Sequence, residues 1–310
     1  MALNRRHPRL SPGALLMTLF AGLGLVQAED APLVAAATIP LWSDAAPGES
    51  GTAKPETDVM GKDHIRRIGD VSQPTISFYP APKLTSNGTS VVICPGGGYS
   101  ILAMDLEGTE VASWLNSFGV GAIILKYRVP RRTNQPFYLA PVQDGQRAIS
   151  LVRAKAQEWG LKSDRIGILG FSAGGHLAAV TSNSFANRLY APRDANDQIS
   201  CRPDFTVLLY PAYLISDGKL NPEVATAPDA PPAFLVFAND DKLGSENVIA
   251  YYLGLKSHNI PAELHIYAKG GHGFGLRPTA NPCSTWPLNC RLWMVSQGLV
   301  SAPAAAGPHD

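Results

Sequence analysis

Ile166-Gly-Ile-Leu-Gly-Phe-Ser172-Ala-Gly-Gly175 decides how this chain reads. A short apolar run, Arg165–Leu169, enters Gly-x-Ser-x-Gly, and a helical pattern, Ala173–Thr181, follows it. A serine hydroxyl is a weak nucleophile until a base takes its proton, and it must protrude where a carbonyl can reach it. A sharp strand-to-helix turn achieves this by holding the serine in a strained conformation, with Gly170 and Gly174 admitting neighbouring backbone. The first N–H groups of the following helix lack intrahelical acceptors and face the place where an oxyanion would develop. Gly-x-Ser-x-Gly alone is a common coincidence. The strand before it and the helix after it give it weight.

A serine nucleophile of this kind needs a base and an acid to orient that base, both on loops after later strands, the acid first. The histidines beyond Ser172 are His176, His258, His265, His272 and His309. His176 lies one helical turn past the serine and reads as a packed helix residue. His258 sits at a helix end, His265 within a strand and His309 in a polar tail. His272 alone occupies a glycine-rich loop directly after a strand, Lys269-Gly-Gly-His272-Gly-Phe-Gly275, and is the expected base. The acid is expected after the strand Ala233–Ala238, where Asn239-Asp240-Asp241 stands. Adjacent residues point in different directions, so only one aspartate can hold His272. Asp241, further into the loop, is the favoured one, and Asp240 then caps the turn.

Oxyanion donors are expected from Cys94-Pro-Gly-Gly-Gly-Tyr99 at the end of another apolar strand. Successive glycines bring bare N–H groups up to a ligand, so Gly97 and Gly98 are the expected donors, joined by the N–H of Ala173. Tyr99, Tyr127, Phe137, Tyr138 and Tyr213 fall on loops that would rim such a site, where some would stack on sugar rings and others pack. Asp105, Glu107 and Glu110 form the acidic cluster nearest the glycines. They read as acids at a helix N-terminus, complementing its dipole.

The 310 residues are 45% hydrophobic and 16% charged, enough for one large α/β domain. Residues 1–28 differ from the rest: Arg5, Arg6 and Arg9 precede the apolar run Ala14–Val26, and Val26-Gln-Ala28 suits cleavage after Ala28. That is the pattern of a secretory signal peptide, with a periplasmic or secreted mature protein and no stable membrane insertion after cleavage. Its removal leaves 23 basic against 25 acidic residues, a net charge of −2, which gives no reason to expect nucleic acid or an anionic membrane as partner. Cys283 and Cys290 flank a short Pro- and Trp-containing loop and are expected to form a local disulfide, with Cys94 and Cys201 reduced near the core. No Cys/His cluster has zinc-ligand spacing, so neither metal nor cofactor is expected.

Residues 29–65 are rich in Ala, Pro, Gly and Thr and read as an extended N-terminal segment. Residues 66–300 carry the domain, and 301–310 form a flexible tail. Within the domain, strands at Thr75–Tyr79, Ser90–Cys94, Val120–Lys126, Arg165–Leu169, Phe205–Tyr210, Ala233–Ala238 and Ala262–Tyr267 alternate with helices at Glu107–Ser117, Pro141–Trp159, Ala173–Thr181, Glu246–Ser257 and Cys290–Gln297. Continuously apolar strands separated by helices imply a mostly parallel sheet with helices on both faces. The segment Pro211–Pro232 is too short for a large cap domain.

These motifs together resemble α/β-hydrolases of the bacterial esterase/lipase group, and more narrowly the acetylxylan-esterase-like branch, sometimes labelled xylanase. The matching segments include Cys94–Tyr99, Glu107-Gly108, Leu125-Lys-Tyr-Arg-Val-Pro130, Asp164–Ala178, Asn239-Asp-Asp241 and Pro261–Arg277. The resemblance implies an eight-stranded, mostly parallel sheet and a Ser172–Asp241–His272 triad. Two positions depart from the pattern: Pro95 replaces a histidine before the glycines, and the acid loop Asp241–Glu246 is a residue shorter. It implies an exported serine esterase acting through an acyl-enzyme on small acyl, chiefly acetyl, esters of carbohydrates. A general carboxylesterase or lipase-like enzyme and a peptidase are the alternatives on the same triad. A glycosidase would need two carboxylates flanking a glycosidic bond, and a non-catalytic sugar-binding protein would carry a degenerate triad. Oligomeric state is not legible.

Overall fold

A computed structural model describes residues 33–50 and 54–302; the signal segment and most of the C-terminal tail lie outside the described residues. Eight strands form one sheet: β1 (Ala37–Pro40), β2 (Thr75–Tyr79), β3 (Ser90–Cys94), β4 (Gly121–Lys126), β5 (Ile166–Phe171), β6 (Phe205–Leu209), β7 (Ala233–Ala238) and β8 (Ala262–Tyr267). Their spatial order is β1-β2-β4-β3-β5-β6-β7-β8. β2 runs antiparallel to both of its neighbours, and from β4 to β8 every adjacent pair is parallel. Among the described residues five α-helices accompany the strands: α1 (Glu110–Asn116), α2 (Leu139–Lys155), α3 (Ala173–Asn183), α4 (Glu246–Ser257) and α5 (Trp286–Ser296).

The parallel centre follows from composition. Every residue of β3, β5, β6 and β7 is buried, as strands covered on both faces require. β8 closes the sheet at an edge and is only partly covered. Each buried Val, Leu, Ile or Phe contributes about 1.5–3 kcal/mol, so the central strands supply much of the driving force.

The N-terminal segment does more than lie over the domain. Its residues Ala37–Pro40 form the sheet edge β1, and Thr57–Met60 and Arg66–Gly69 build a small antiparallel sheet with Ile101–Ala103, the strand that follows the glycine loop. These strands are four residues or fewer, and Thr57–Met60 is exposed throughout. Thr57–Met60 and Arg66–Gly69 pair with each other across a short turn, whereas Ala37–Pro40 and Ile101–Ala103 find partners distant in sequence, and strands this short carry little apolar pattern of their own.

A buried polar cluster ties this segment to the core. Arg128, just after β4, is fully buried and donates from Nε to both carboxylate oxygens of Asp144 on α2, at 3.0 and 2.9 Å. Asp144 also accepts from the backbone N–H of Arg128 and from the indole of Trp42. The other guanidinium nitrogens of Arg128 reach the carbonyls of Pro47 and Ala140.

The expected disulfide is absent: Cys94, Cys201, Cys283 and Cys290 are all buried free thiols. Cys283 sits in the helical turn that leads into α5, with its sulfur against Gly270, whereas Cys290 packs into the core. Seven residues along a helix separate two positions by about 10 Å, beyond the reach of a disulfide.

Replacing Asp144 with alanine leaves the Nε–H of the buried Arg128 and the Trp42 indole N–H without their acceptor, with Glu49, 3.4 Å from Nη1, as the remaining carboxylate. The expected loss is about 3–5 kcal/mol of unfolding free energy, measured by urea denaturation. A loss below about 1 kcal/mol would contradict the role given to this pair.

Candidate active site

Strand β5 ends at Phe171 and α3 starts at Ala173, so Ser172 alone makes the turn, with φ 51° and ψ −117°. Such a conformation costs a non-glycine residue about 1–3 kcal/mol and persists only where its surroundings enforce it. The Ser172 N–H donates to the carbonyl of Leu209, and its own carbonyl accepts from His176 and Ala212. Gly174 completes the restraint. A Cβ there would stand 2.1 Å from the carbonyl oxygen of Cys94, so only glycine lets the start of α3 touch the end of β3. Among the described residues Tyr99, Tyr210 and Tyr213 also have positive φ.

His272 lies on the loop after β8 and reaches the serine. Its Nε2 is 2.8 Å from Ser172 Oγ, and its Nδ1 is 2.6 Å from Asp241 Oδ2. With the Nδ1 proton directed at Asp241, Nε2 carries the lone pair and accepts from the serine hydroxyl. The Asp241 side chain is buried, while about a third of the His272 side chain stays open to solvent. The other oxygen of Asp241 accepts from the N–H of Leu243, which fixes the carboxylate in its turn.

Of the two adjacent aspartates, then, Asp241 faces the imidazole. Asp240 caps a different turn from the one expected. Its Oδ1 accepts from Gly270 and Gly271 in the histidine loop, at 2.9 and 2.8 Å. These bonds hold its carboxyl below the usual range, the Gly271 bond most strongly.

The glycine loop lies beside Ser172. Gly97 has φ +140°, and a Cβ on it would meet the carbonyl of Ile101 at 2.0 Å. Neither the Gly97 nor the Gly98 N–H has a backbone acceptor among the described residues. Ala173 lies in the first turn of α3, where N–H groups have no intrahelical acceptor. The loop is pinned through its carbonyls and flanks. The Tyr127 hydroxyl donates to the carbonyl of Pro95 at 2.6 Å, and Arg131 donates to that of Gly98 at 2.7 Å.

Tyr99 and Tyr127 are not rim residues, because both are fully buried. The Tyr99 hydroxyl lies 2.9 Å from Nδ1 of His176, and its ring stacks under that of Tyr213 with 6.1 Å between centroids. Tyr213, Phe137 and Tyr138 retain some exposure and can meet a ligand. Burial lowers the pKa of His176, opposed by nearby Glu223, whose carboxylate stands 3.7 Å from Nε2. Through its bond to Tyr99, His176 anchors the end of the glycine loop.

Glu107 stands in the first turn of a helical element, as the sequence suggests, but it does not face solvent as a dipole-complementing acid. It is buried in a π-helical turn, Asp105–Thr109, that precedes α1. Its Oε2 accepts from the N–H of Gly96 at 2.7 Å and its Oε1 from the Tyr210 hydroxyl at 2.8 Å. Burial raises its carboxyl pKa, while Tyr210, Gly96 and the charge of His272 oppose the rise. A sequence signal was present, since the acid stands between Leu106 and Gly108.

Sheet order, elbow and hydrogen-bonded serine, histidine and aspartate make this chain an α/β-hydrolase. Within that fold it resembles acetylxylan esterases. The BD-FAE family model matches residues 77–206, a stretch that carries the glycine loop, Glu107 and the serine elbow. An acetylxylan esterase of Xylanibacter ruminicola is 31% identical over 215 residues, covering 61% of this chain and 42% of that protein. Endo-1,4-beta-xylanase B of Butyrivibrio fibrisolvens is 26% identical over 209 residues, covering 59% and 32%. The chain thus spans less than half the length of either relative. The solved structure of an acetyl ester-xyloside bifunctional hydrolase from Caldicellulosiruptor lactoaceticus superposes with a TM-score of 0.70 at 29% identity, covering 87% of this chain and 99% of that one.

The two aspartates have separable effects on Ser172 reactivity. Asp241→Asn should slow fluorophosphonate labelling of Ser172 by up to about four orders of magnitude, because the amide no longer fixes the imidazole tautomer. Asp240→Asn keeps an oxygen acceptor for Gly270 and Gly271 and should cost about tenfold or less. Equal losses in the two variants, or the reverse ranking, would contradict the geometry.

Proposed function

We propose that this chain is a serine esterase that removes small acyl groups, acetyl foremost, from carbohydrate esters. One observation carries the reading: the continuous hydrogen-bond chain from Asp241 through His272 to Ser172 Oγ, next to the glycine loop whose Gly96 lies against Ser172. In this mechanism Ser172 attacks the ester carbonyl while His272 takes its proton, and the imidazolium then protonates the leaving alcohol. Asp241 holds the ring and balances its transient charge. The N–H groups of Gly97, Gly98 and Ala173 receive the tetrahedral oxyanion, where each donor contributes roughly 10²–10³-fold. Water then enters by the same route and releases the acid.

The acetyl and carbohydrate parts of the reading draw on the acetylxylan esterase and the acetyl ester-xyloside hydrolase that the chain resembles. The open His272 side chain and the short insertion between β6 and β7, a two-stranded hairpin and one helical turn, favour a bulky alcohol. A glycosidase needs two carboxylates facing one bond. Here Asp105 accepts from backbone N–H groups, Glu107 is buried, and Glu110 is paired with Arg277. The reading includes export: residues 1–28 are removed and the mature protein, starting at Glu29, acts in the periplasm or medium. N-terminal sequencing of the protein from its native host tests this, and an uncleaved cytoplasmic chain would refute it.

Ser172→Ala should lose about three to six orders of magnitude in kcat on aryl acetates and acetylated xylan. Substantial turnover by that variant would refute the serine mechanism. Across aryl esters from acetyl to octanoyl, activity should fall or stay level, because an open site buries few methylenes at about 0.8 kcal/mol each. A rise of about tenfold, equivalent to about 1.4 kcal/mol of preferential transition-state binding, would point instead to an acyl tunnel and a lipase-like carboxylesterase.

A further inference from the structure

Two loops must keep a fixed spacing for this site to work. The glycine loop after β3 holds the oxyanion donors, and the loop after β8 holds His272. They belong to strands four places apart in the sheet, so the sheet alone gives them little mutual rigidity. One buried side chain connects them. Glu107 accepts from Gly96, the residue before the donors, and from the Tyr210 hydroxyl. Tyr210 in turn accepts from the N–H of Gly275, three residues beyond His272, at 3.1 Å. Its ring stands edge-on to the His272 imidazole, 5.1 Å between centroids, and to Phe274 at 4.5 Å. Gly96 lies between this carboxylate and the serine. A Cβ on Gly96 would lie 2.6 Å from Glu107 Oε2 and 3.1 Å from Ser172 Cβ.

A carboxylate is a costly way to fill a buried position. Its desolvation costs several kcal/mol, and among the described residues no lysine or arginine forms an ion pair with Glu107. The chemistry of its neighbours explains the choice. The Gly96 N–H can only donate. The Tyr210 oxygen is already occupied by the Gly275 N–H, so its proton is free to turn toward Glu107. Two donors converge on one group, and a carboxylate offers an acceptor to each. A glutamine would offer one acceptor and one donor, so it keeps one of these bonds and disrupts the other.

We propose that Glu107 is a positioning residue for the acyl-transfer reaction, clamping the oxyanion loop to the His272 loop through Tyr210. This rests on the esterase reading. The clamp holds Gly97 and Gly98 at the distance from His272 that the tetrahedral intermediate requires. Misplacement by about 1 Å from such a support costs up to about 10²-fold.

A double-mutant cycle tests it on the full chain, with Glu107→Gln, Tyr210→Phe and the pair assayed on an aryl acetate. Active sites are counted by fluorophosphonate titration, so kcat is expressed per competent site and misfolded protein drops out. Both single variants are near-isosteric, which keeps the fold testable where Glu107→Ala would not. Each single variant should lose about tenfold to a hundredfold in kcat with KM within about twofold. The double variant should be little worse than the poorer single, because both substitutions break one clamp. A merely structural role would reduce the number of titrated sites and leave kcat per site unchanged, which overturns the proposal. Losses that multiply in the double variant overturn it too. A wild-type protein without ester turnover removes this proposal together with the esterase reading, whereas an active wild type with unaffected variants removes the clamp alone.

Discussion

The contact of backbone on backbone between the end of β3 and the start of α3 is the constraint on which the site depends. Cys94 and Gly174 approach until no Cβ fits between them. That closeness holds the serine turn at positive φ and sets the glycine loop against the nucleophile. The conformational cost at Ser172, about 1–3 kcal/mol, is offset by hydrogen bonds from its backbone to Leu209, His176 and Ala212. Ser172 is therefore held by its backbone in one conformation, the preorganisation that the proposed nucleophilic role requires.

Around this contact polar side chains, some buried and some exposed, fix the loops. Tyr127 and Arg131 hold carbonyls of the glycine loop. The Tyr99–His176 bond ties that loop to the nucleophile helix. Glu107 joins it to Tyr210, and Asp240 joins the acid loop to the histidine loop. The N–H groups of Gly97 and Gly98 stay uncommitted while neighbouring groups are committed. A loop pinned by its carbonyls and flanks presents its N–H groups with little reorganisation to come.

Much of this was legible from the sequence because it rests on local signals. Seven strands of the large sheet are continuous apolar or alternating runs, and the elbow carries its glycines at fixed spacing. His272 stood out through its glycine-rich neighbours after a strand. What escaped depended on distant partners. The edge strand Ala37–Pro40 and the small sheet with Ile101–Ala103 have no pattern of their own. Tyr99 and Tyr127 read as exposed loop aromatics, yet their hydroxyls find buried partners across the fold. The Cys283–Cys290 pairing failed because a helical stretch, not a flexible loop, separates the two thiols. Glu107 escaped for a related reason: its partners, Gly96 and Tyr210, are brought to it only by the closed sheet.

The central claim, that Ser172 carries the acyl group between the two halves of the reaction, is tested most directly by trapping that intermediate. The full chain is mixed with an aryl acetate, quenched in acid within the first turnovers, digested and examined by mass spectrometry. The account predicts an acetyl adduct on the peptide containing Ser172, assigned to that residue by fragmentation, and a burst of aryl alcohol matching its amount. Steady turnover with no adduct on Ser172, or with the adduct on another residue, would contradict it.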